Sequence, residues 1–420
     1  MSEHGGTDKA TVAVIGAGVI GLAVAFRLAL EKRKVLLIDR KEPGREASYG
    51  NAGHIATEQI FPLASLSTLL NVPGFLSRGD RPLSIRREYA MHILPWLLRF
   101  TWYASPHSFR RGRAALSALL SGAMAALEGL LDEASMSSLL HQRGHMILVE
   151  KEKSKAAMQA QPASLADYDI AAEWLEPNAV AERVPQLLKG ISGALLFRDT
   201  GHVSDPYLVC TGLHEAFLAA GGRFVRGDAK RLVADIDGGF EIDVNSRKLR
   251  AEKVVIAAGA WSKELTSQLG HDVPLETERG YHINADGWHA HFDIPIASHE
   301  RMVIMTPLDG GLRMTGFVEF GGLQLPPDQR HVETLQRHLG ELLPGARTPD
   351  LKGWMGFRPS LPDYLPVIGS SPDNPNALFA FGHQHLGLTL AGVTSDIVAA
   401  LAGGRESAVD LHPFRVNRFQ

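Results

Sequence analysis

The feature that most constrains the fold of this chain is a glycine-rich turn between a strand and a helix near the N-terminus. A short β-branched run at 12–15 precedes the turn, which reads Gly-Ala-Gly-Val-Ile-Gly at 16–21. Residues 22–30 are rich in helix-forming Ala and Leu, and a second strand-like run ends at Asp39. Glycines at this spacing permit a tight turn and let a pyrophosphate approach the amides at the helix N-terminus. The pattern therefore predicts a βαβ unit that binds a dinucleotide.

The choice between FAD and NAD rests on other segments, because both cofactors use the same fingerprint. Asp39 closes the second strand, where a carboxylate accepts hydrogen bonds from both ribose hydroxyls and disfavours NADP. Three segments bear on this choice: 44–54 and 254–262, which are rich in small residues suited to a closely packed cofactor, and 382–389. The last leads into a helix whose N-terminus would stabilise negative charge on a reduced flavin ring. These segments favour FAD, and the predicted cofactor-binding residues are Gly16, Gly18, Val19, Ile20, Gly21, Asp39, Arg40, Ser48, Asn51, Ala52, Gly53, Ala258, Gly259, Gly382, His383, Gly387, Leu388 and Thr389.

Composition and charge exclude several classes of partner. The chain has 420 residues and a formal charge of -3, with basic residues spread along it, so we predict no nucleic-acid partner. The single cysteine, Cys210, cannot form an internal disulfide, which fits a reducing compartment. Two His-x-His pairs, at 289–291 and 383–385, lack an accompanying carboxylate or cysteine set, so we predict no metal. The N-terminus has no basic start or apolar run typical of a signal peptide, and we expect a cytoplasmic protein.

The most lipid-like stretch lies at 89–104. It is shorter than the roughly 20 apolar residues that a spanning helix needs, and it contains Pro95 and Arg99, so we predict that it does not cross a bilayer. Its aromatic residues Trp96, Phe100 and Trp102 fit either a protein core or a membrane surface. Membrane contact is therefore expected to be peripheral at most, at the inner membrane face.

The remaining patterns predict an α/β (α+β) fold of two domains. Apolar residues recur at helical spacing from 86 to about 136, Asp205-Pro206 begins a helix that should stop near Gly221, and strand patterns fill 281–317. We assign 8–85, 180–270 and 350–420 to a Rossmann-like FAD-binding domain. We assign 86–179 and 271–349 to a substrate-binding domain with a mixed sheet, so that both domains are discontinuous in sequence.

Several motifs together resemble the glycine oxidase and D-amino acid oxidase superfamily of FAD enzymes, and within it the bacterial D-amino acid dehydrogenases. The motifs are GAGVIG, SYGNAGHI, AAGAWS, RGY at 279–281, GFRPSLPDYLPVIG from Gly356 and GHQHLGLTLAG from Gly382. The resemblance covers essentially the whole chain. It implies that a small amino acid is held above the flavin, between the two domains.

Arg358 is the leading candidate for substrate binding. Its neighbours in sequence are mostly apolar, so its guanidinium needs an anionic partner, and a substrate carboxylate matches its two-pronged geometry. The carboxylate-binding arginine of the family occupies this GFRP position. An internal ion pair, for example with Asp363, is the alternative.

Three further residues are candidates for the substrate side of the flavin. Tyr281 is predicted either to hydrogen-bond the same carboxylate or to be a packed core tyrosine. His54 follows the flavin loop, where several D-amino acid dehydrogenases have histidine, and a structural histidine is the alternative. His385 is likewise predicted to be either a residue on the substrate side of the flavin or a structural histidine.

The resemblance implies hydride transfer from the substrate Cα to flavin N5, which gives an imino acid. The amine must be neutral, and the residues leave open whether His54 or His385 takes its proton. The sequences NAGHIATEQIFPLAS and ERGYHI are most similar to relatives that oxidise D-hydroxyproline, which makes a cyclic D-imino acid the narrower expectation. We expect a quinone or the respiratory chain as electron acceptor, and non-covalent FAD because Cys210 lies outside the motifs.

Three other functions are alternatives to this one. A sarcosine or glycine oxidase would use oxygen, an FAD domain in tRNA modification would need a basic channel or a fused partner domain, and a non-catalytic dinucleotide-binding module would leave Arg358 without a partner.

Overall fold

The strands and helices are described in a computed structural model that covers residues 9–235, 238–245, 247–346, 351 and 353–420. Within these residues the strands are β1 (Lys9–Ile15), β2 (Val35–Asp39), β3 (His54–Ile55), β4 (Leu83–Ile85), β5 (Leu140–His141), β6 (His145–Val149), β7 (Ala172–Leu175), β8 (Gly193–Phe197), β9 (Gly201–Val203), β10 (Arg223–Arg226), β11 (Ala229–Ala234), β12 (Phe240–Val244), β13 (Arg247–Ile256), β14 (Glu276–Asp286), β15 (Ile296–Ser298), β16 (Val303–Leu308), β17 (Gly311–Phe320), β18 (Gly353–Ser360), β19 (Val367–Ser370) and β20 (Ala377–Phe381). The α-helices are α1 (Val19–Leu30), α2 (Leu66–Ser77), α3 (Ala90–Tyr103), α4 (Pro106–Leu120), α5 (Ala123–Glu133), α6 (Glu152–Gln159), α7 (Gln161–Ala166), α8 (Pro177–Arg183), α9 (Pro206–Ala219), α10 (Ser262–Gln268), α11 (Gln329–Leu342) and α12 (Ala391–Ala402).

The N-terminal motif forms the predicted βαβ unit. Strand β1 pairs in parallel with β2 on one side and with β13 on the other, and α1 follows directly after the glycine turn. Gly16 has a φ of +109°, and a Cβ there would lie 2.3 Å from the carbonyl oxygen of Ala257. A Cβ on Gly21 would lie 1.8 Å from the carbonyl oxygen of Gly16. Glycine is needed at both positions because the helix begins in contact with the backbone of the turn.

The first large sheet has the order β10-β2-β1-β13-β12-β11, and β20 pairs with both β13 and β19. Its β10, β2, β1, β13 and β20 are parallel, whereas β11 and β12 are antiparallel. Side chains of α1, α9 and α12 pack in one core cluster with β1, β2 and β13. This is the predicted Rossmann-like unit.

The second large sheet has the order β18-β14-β17-β16-β15-β6-β8-β7, with β4 added beside β17. Most of its pairs are antiparallel, but β15 is parallel to β6 and β17 is parallel to β4. Helix α11 packs its apolar face into the core of this sheet. The prediction of a mixed α/β fold with a second, mixed sheet is confirmed.

The sheets divide the chain at different points from the predicted ranges. Strands β4, β8 and β18 belong to the second sheet, although 8–85, 180–270 and 350–420 were assigned to the FAD-binding domain. Helix α5 packs in the same core as α1 and α12, although 86–179 was assigned to the substrate domain. The sheets therefore follow a different division of the chain, because the pairing partner of a strand is decided by long-range hydrogen bonds, which local patterns do not report.

The sequence signals for the beginning and end of α9 are confirmed. The Asp205 side chain accepts hydrogen bonds from the amides of Tyr207 and Leu208, and α9 ends at Ala219, just before Gly221.

The stretch Pro106–Glu133, which contains α4 and α5, is long and apolar enough to cross a membrane by length and composition alone. Its leucines 116, 119, 120, 127, 130 and 131 are instead buried in the protein core. Packing within the fold therefore accounts for this apolar stretch.

Candidate functional site

A cavity of about 940 Å³ is lined by residues from both large sheets. The glycine turn after β1 and the end of β2 form one part of its wall, and β17 and β18 form another. Predicted cofactor residues that line the cavity are Gly16, Gly18, Val19, Ile20, Asp39, Arg40, Ser48, Asn51, Ala52, Ala258, Gly259, Gly382, His383, Gly387 and Leu388. Segments far apart in the chain are thus brought together around one space, as the sequence predicted.

Three predicted cofactor residues lie behind the wall of the cavity instead of facing it. Gly21 lies against the backbone of the glycine turn, and Gly53, with a φ of +79°, lies close to the carbonyl oxygen of Val203. The Thr389 hydroxyl accepts a hydrogen bond from the Ala56 amide at 3.0 Å. These residues shape the wall, because their backbone or side-chain contacts are made within the protein.

The groups in the dinucleotide part of the cavity are polar and hydrogen-bonded within the protein. One Asp39 oxygen accepts from the Ala17 amide at 2.7 Å and the other from the Lys41 amide at 2.8 Å. Burial raises the pKa of Asp39 above its ordinary value. The Val19 amide donates to the Ser48 hydroxyl at 3.0 Å, so the loop after β2 is joined to the beginning of α1. The amides of the turn and the Asp39 carboxylate are the donor and acceptor set that a pyrophosphate and a ribose need.

A residue that the sequence did not single out also lines this part of the cavity. Trp261 packs under the Arg40 guanidinium, which lies 3.8 Å from the centre of its ring. Arg40 also contacts Glu46 at 2.9 Å. The AAGAWS motif contains Trp261, but only the fold places its ring beside Arg40.

Arg358 faces the cavity from β18 without a carboxylate in ion-pair contact among the described residues. Its Nη1 donates to the carbonyl oxygen of Phe317 at 3.0 Å. The guanidinium lies over Gly280, where a Cβ would be 2.3 Å from Nη2. Burial lowers the pKa of Arg358, and the nearby Glu278 opposes that shift. The alternative partner Asp363 instead binds Arg418 at 2.7 Å, so an Arg358–Asp363 ion pair is excluded.

Glu278 lies opposite Arg358 in the sheet but outside ion-pair distance of it. The two residues are register partners in β14 and β18, and the Tyr364 hydroxyl donates to the Glu278 carboxylate. Burial raises the pKa of Glu278, and Tyr364 and Arg358 oppose that rise. Arg358 therefore retains a positive charge that an anion in the cavity would neutralise.

His54 lies in the cavity wall beside a buried carboxylate. Its Nδ1 lies 3.1 Å from the Gly201 carbonyl oxygen, and its Nε2 lies 3.2 Å from Glu58 Oε1. Although burial raises the pKa of Glu58, His145 and His54 together lower it to about 2. Both ring nitrogens of His54 are thus engaged in contacts within the protein.

His385 and His145 present neutral imidazoles to the same cavity. Burial, together with the charge of Arg358, lowers the pKa of His385 to about 4, and its Nε2 donates to the Gln59 side-chain oxygen. Burial is also the largest cause that lowers the pKa of His145, to about 3. Neither His145 nor Gln59 was predicted. His145 lies far in sequence from the flavin motifs, whereas Gln59 lies only four residues after the SYGNAGHI motif.

Tyr281 does not face the cavity, so the prediction that it binds the substrate carboxylate is wrong. Its hydroxyl donates to Glu319 at 3.0 Å and accepts from the Asp328 amide at 3.0 Å, and the residue is 1% exposed. Neighbouring residues of a strand point to opposite faces of a sheet. Gly280 lines the cavity, and Tyr281 therefore points into the core of the second sheet, where its ring packs on His331.

Two groups of side chains bring metal-ligating atoms within 4.8 Å of one another: His54 with Glu58 and His145, and Glu319 with Asp328 and His331. Neither His-x-His pair takes part in these groups within the described residues. In the first group the imidazole–carboxylate contact of His54 already satisfies Glu58 Oε1.

The geometry agrees with comparisons to known proteins. Residues 11–401 match the family described as FAD dependent oxidoreductase (DAO). The chain belongs to this family. Its members bind FAD, and the cavity fits that cofactor, since Asp39 and the amides that follow Gly16 supply ribose and pyrophosphate ligands. Cys210 is fully buried and does not line the cavity, in agreement with non-covalent FAD in this FAD-dependent oxidoreductase.

Relatives of this FAD-dependent oxidoreductase match over nearly the full chain. A D-amino-acid oxidase of Bradyrhizobium diazoefficiens is 32% identical over 97% of this chain and 98% of its own length. D-amino acid dehydrogenase 2 of Ralstonia nicotianae is 28% identical over 97% of this chain and 100% of its own length. The crystal structure of glycine oxidase from Geobacillus kaustophilus has a TM-score of 0.74 and 22% identity, and the match covers 98% of this chain and 99% of that one. The last comparison shows a shared fold.

Proposed function

We propose that this FAD-dependent oxidoreductase oxidises the Cα–N bond of a D-amino acid to give an imino acid. The observation that carries the proposal is Arg358, a partly buried guanidinium that faces the cofactor cavity and has no carboxylate partner in ion-pair contact within the described chain. A monocarboxylate substrate supplies the missing anion. The names of the two relatives, a D-amino-acid oxidase and a D-amino acid dehydrogenase, support the choice of substrate class.

The residues of the chain have three tasks in this reaction. Arg358 binds the substrate carboxylate through the guanidinium nitrogens other than Nη1, and this holds the Cα–H bond in one orientation. Positioning of this kind contributes roughly 7–11 kcal/mol in well-oriented systems. His385 keeps Nδ1 as an acceptor, because its Nε2 donates to Gln59, and we assign to it a hydrogen bond from the substrate amine. The apolar and backbone lining of the cavity excludes water from the reacting atoms.

FAD, when bound, supplies the two-electron acceptor for the hydride that leaves Cα. The nitrogen lone pair forms the C=N bond as the hydride leaves Cα, and the amine must therefore react in its neutral form. The resulting iminium then loses one proton to give the imino acid. A linear imino acid would hydrolyse to a 2-oxo acid and ammonia, whereas a cyclic imine can leave intact.

The narrower substrate we propose is a cyclic D-imino acid such as hydroxy-D-proline. Its support is the sequence of the flavin loop and of 278–283, together with the cavity wall around His145 and His385. Neutral imidazoles can hydrogen-bond a ring hydroxyl without requiring a charged substrate side chain. We further propose a quinone or the respiratory chain as electron acceptor, and a cytoplasmic enzyme with peripheral contact at the inner membrane face.

The test is anaerobic bleaching of the flavin absorbance by D- and L-amino acids, sarcosine and both series of hydroxyproline. Bleaching by D-compounds, with cyclic ones most rapid, supports the proposal. Bleaching by sarcosine or glycine with rapid reoxidation by oxygen identifies the alternative, an amine oxidase, for which the oxidase relative is the supporting observation. Bleaching by L-compounds alone, or by none of the panel, contradicts the substrate assignment.

The acceptor is tested separately by reoxidation of the bleached enzyme. A soluble quinone should restore the flavin absorbance faster than air-saturated buffer. The opposite order contradicts the assignment of a quinone acceptor and leaves the substrate assignment standing.

A further inference from the structure

Helix α3 carries apolar side chains on two different faces. Ile93, Trp96 and Phe100 are buried and pack in a core cluster with Phe320 and Tyr364. A second apolar stripe, formed by Met91, Leu94, Leu98 and Trp102, has helical spacing and is exposed to solvent, with Met91 77% and Trp102 76% exposed. A surface helix normally has one apolar face, and the second stripe has no partner within the described structure.

Helix α2 extends the same apolar surface. None of its residues is buried, and Leu70 is 82% exposed. Although the helix lies at the surface, it contains no charged side chain. Leu69 of α2 packs on the core cluster that α3 covers, so the two helices are neighbours. Nine of the thirteen exposed large hydrophobic residues of the described chain lie between 61 and 102. We call the exposed residues Leu66, Leu70, Met91, Leu94, Leu98 and Trp102 the α2–α3 face.

Positive charge is concentrated around this face. Residues 78–113 contain eight arginines and only two acidic residues, a difference of +6, in a chain whose total charge is -3. Among them Arg81, Arg87, Arg99, Arg110 and Arg111 are exposed. On α3, Arg99 lies one turn before Trp102. Arg87 lies four residues before Met91, in the short turn that precedes α3. Apolar side chains with tryptophan, edged by arginines, are typical of helices that lie in the interface of an anionic bilayer.

We propose that the α2–α3 face docks on an anionic lipid bilayer. Leu70, Leu98 and Trp102 enter the boundary between headgroups and acyl chains, and the exposed arginines contact lipid phosphates. A second copy of the chain fits this face less well, because a symmetric contact would bring the arginines of both copies together. Excess positive charge instead matches the negative surface of a membrane.

The docking face is close to the substrate cavity. Leu63 and Pro82, which line the cavity, lie just before α2 and β4. On its buried side α3 contacts Tyr364, whose hydroxyl donates to Glu278 next to Arg358. An acceptor dissolved in the bilayer would therefore approach the enzyme at a face that adjoins the cavity. This link to the acceptor, like the peripheral membrane contact itself, rests on the proposed function, whereas the lipid-binding experiment assumes nothing about the substrate.

The experiment measures co-sedimentation of the purified FAD-loaded enzyme with vesicles. One set contains equal parts phosphatidylcholine and phosphatidylglycerol, and the other contains phosphatidylcholine alone. The parent protein should bind the anionic vesicles and bind the neutral ones at least about tenfold more weakly. The apolar variant Leu94→Gln/Leu98→Gln/Trp102→Gln and the charge variant Arg87→Gln/Arg99→Gln should each weaken binding to anionic vesicles about tenfold or more.

The matched control is Leu208→Gln/Leu218→Gln, which removes two leucines of α9 that are 44% and 43% exposed. It should bind vesicles like the parent. Flavin bleaching by substrate should be unchanged in all these variants, so a failed substrate assignment and a failed docking assignment give different results.

Three outcomes would overturn the proposal: no binding to anionic vesicles by the parent, equal loss of binding in the α9 control, or a dimer of the parent that the apolar variant converts to a monomer. The last result would assign the face to a second copy. Variants that lose flavin are replaced by Trp102→Gln alone, whose side chain is exposed and outside the core.

Discussion

Replacement of Arg358 by alanine tests the central role given to the cavity. Because Nη1 already donates to the Phe317 carbonyl, two donors in one plane, Nε and Nη2, remain for a substrate carboxylate. Charge-assisted hydrogen bonds contribute about 1.5–3 kcal/mol each, so their loss costs about 3–6 kcal/mol of substrate and transition-state binding. At about 1.4 kcal/mol for each factor of ten, kcat/KM should fall about 10²- to 10⁴-fold. Arg358→Lys keeps the charge but not the two-pronged geometry, and it should give an intermediate loss.

Stability separates this role from a structural one. An arginine in a buried ion pair would destabilise the fold by about 3–5 kcal/mol when removed, because its partner is left charged and unpaired. Arg358 lacks such a partner among the described residues, so Arg358→Ala should leave the free energy of unfolding unchanged or higher. The assay combines rates of anaerobic flavin bleaching over a range of substrate concentrations with urea unfolding of the FAD-loaded proteins. Activity close to that of the parent, or a loss of stability of about 3 kcal/mol or more, would refute the reasoning.

The remaining predictions concern the wall of the cavity and the core behind it. Tyr281→Phe removes a buried hydroxyl that contacts Glu319 and should lower the free energy of unfolding by about 1–3 kcal/mol, with unchanged substrate bleaching; a large loss of bleaching at full flavin content would contradict its placement in the core. Gly16→Ala places a Cβ 2.3 Å from a carbonyl oxygen and should abolish yellow colour in the purified protein, so normal flavin content would count against the turn geometry. Glu58→Gln tests a carboxylate whose folded pKa is depressed from 4.5 to about 2. Its stabilising effect is present above pH 4.5 and is lost as the pH falls towards about 2, so unfolding curves of parent and variant should converge on acidification, and a pH-independent gap would contradict the ion pair.

Contacts between near neighbours in sequence were predicted correctly. The strand–turn–helix around Gly16 and the cap of α9 at Asp205 depend on steric limits and hydrogen bonds within a few residues, and both are present in the structure. The position of Arg358 among apolar neighbours likewise indicated a buried cation without a local partner.

Contacts that depend on the register of strands were not predictable in the same way. The β14–β17 pair contains a register shift between Arg279 and Tyr281. The choice between the two faces of β14 decided that Gly280, and not Tyr281, meets the cavity. A shift of one residue in a strand reverses every side chain on it, and the sequence of a strand that is buried on both faces does not show which face meets the site.

The sequence by itself determined that the chain binds a dinucleotide at a glycine turn, and that a buried arginine needs an anion. Both follow from backbone sterics and from the cost of burying a charge. Only the tertiary structure decided that β18 leaves the FAD-binding unit, that Glu58 lies between His54 and His145, and that the apolar stripe of α3 stays uncovered. Each of these depends on segments that are distant in sequence or on what remains unpaired after the fold is complete, and no local pattern of residues contains that information.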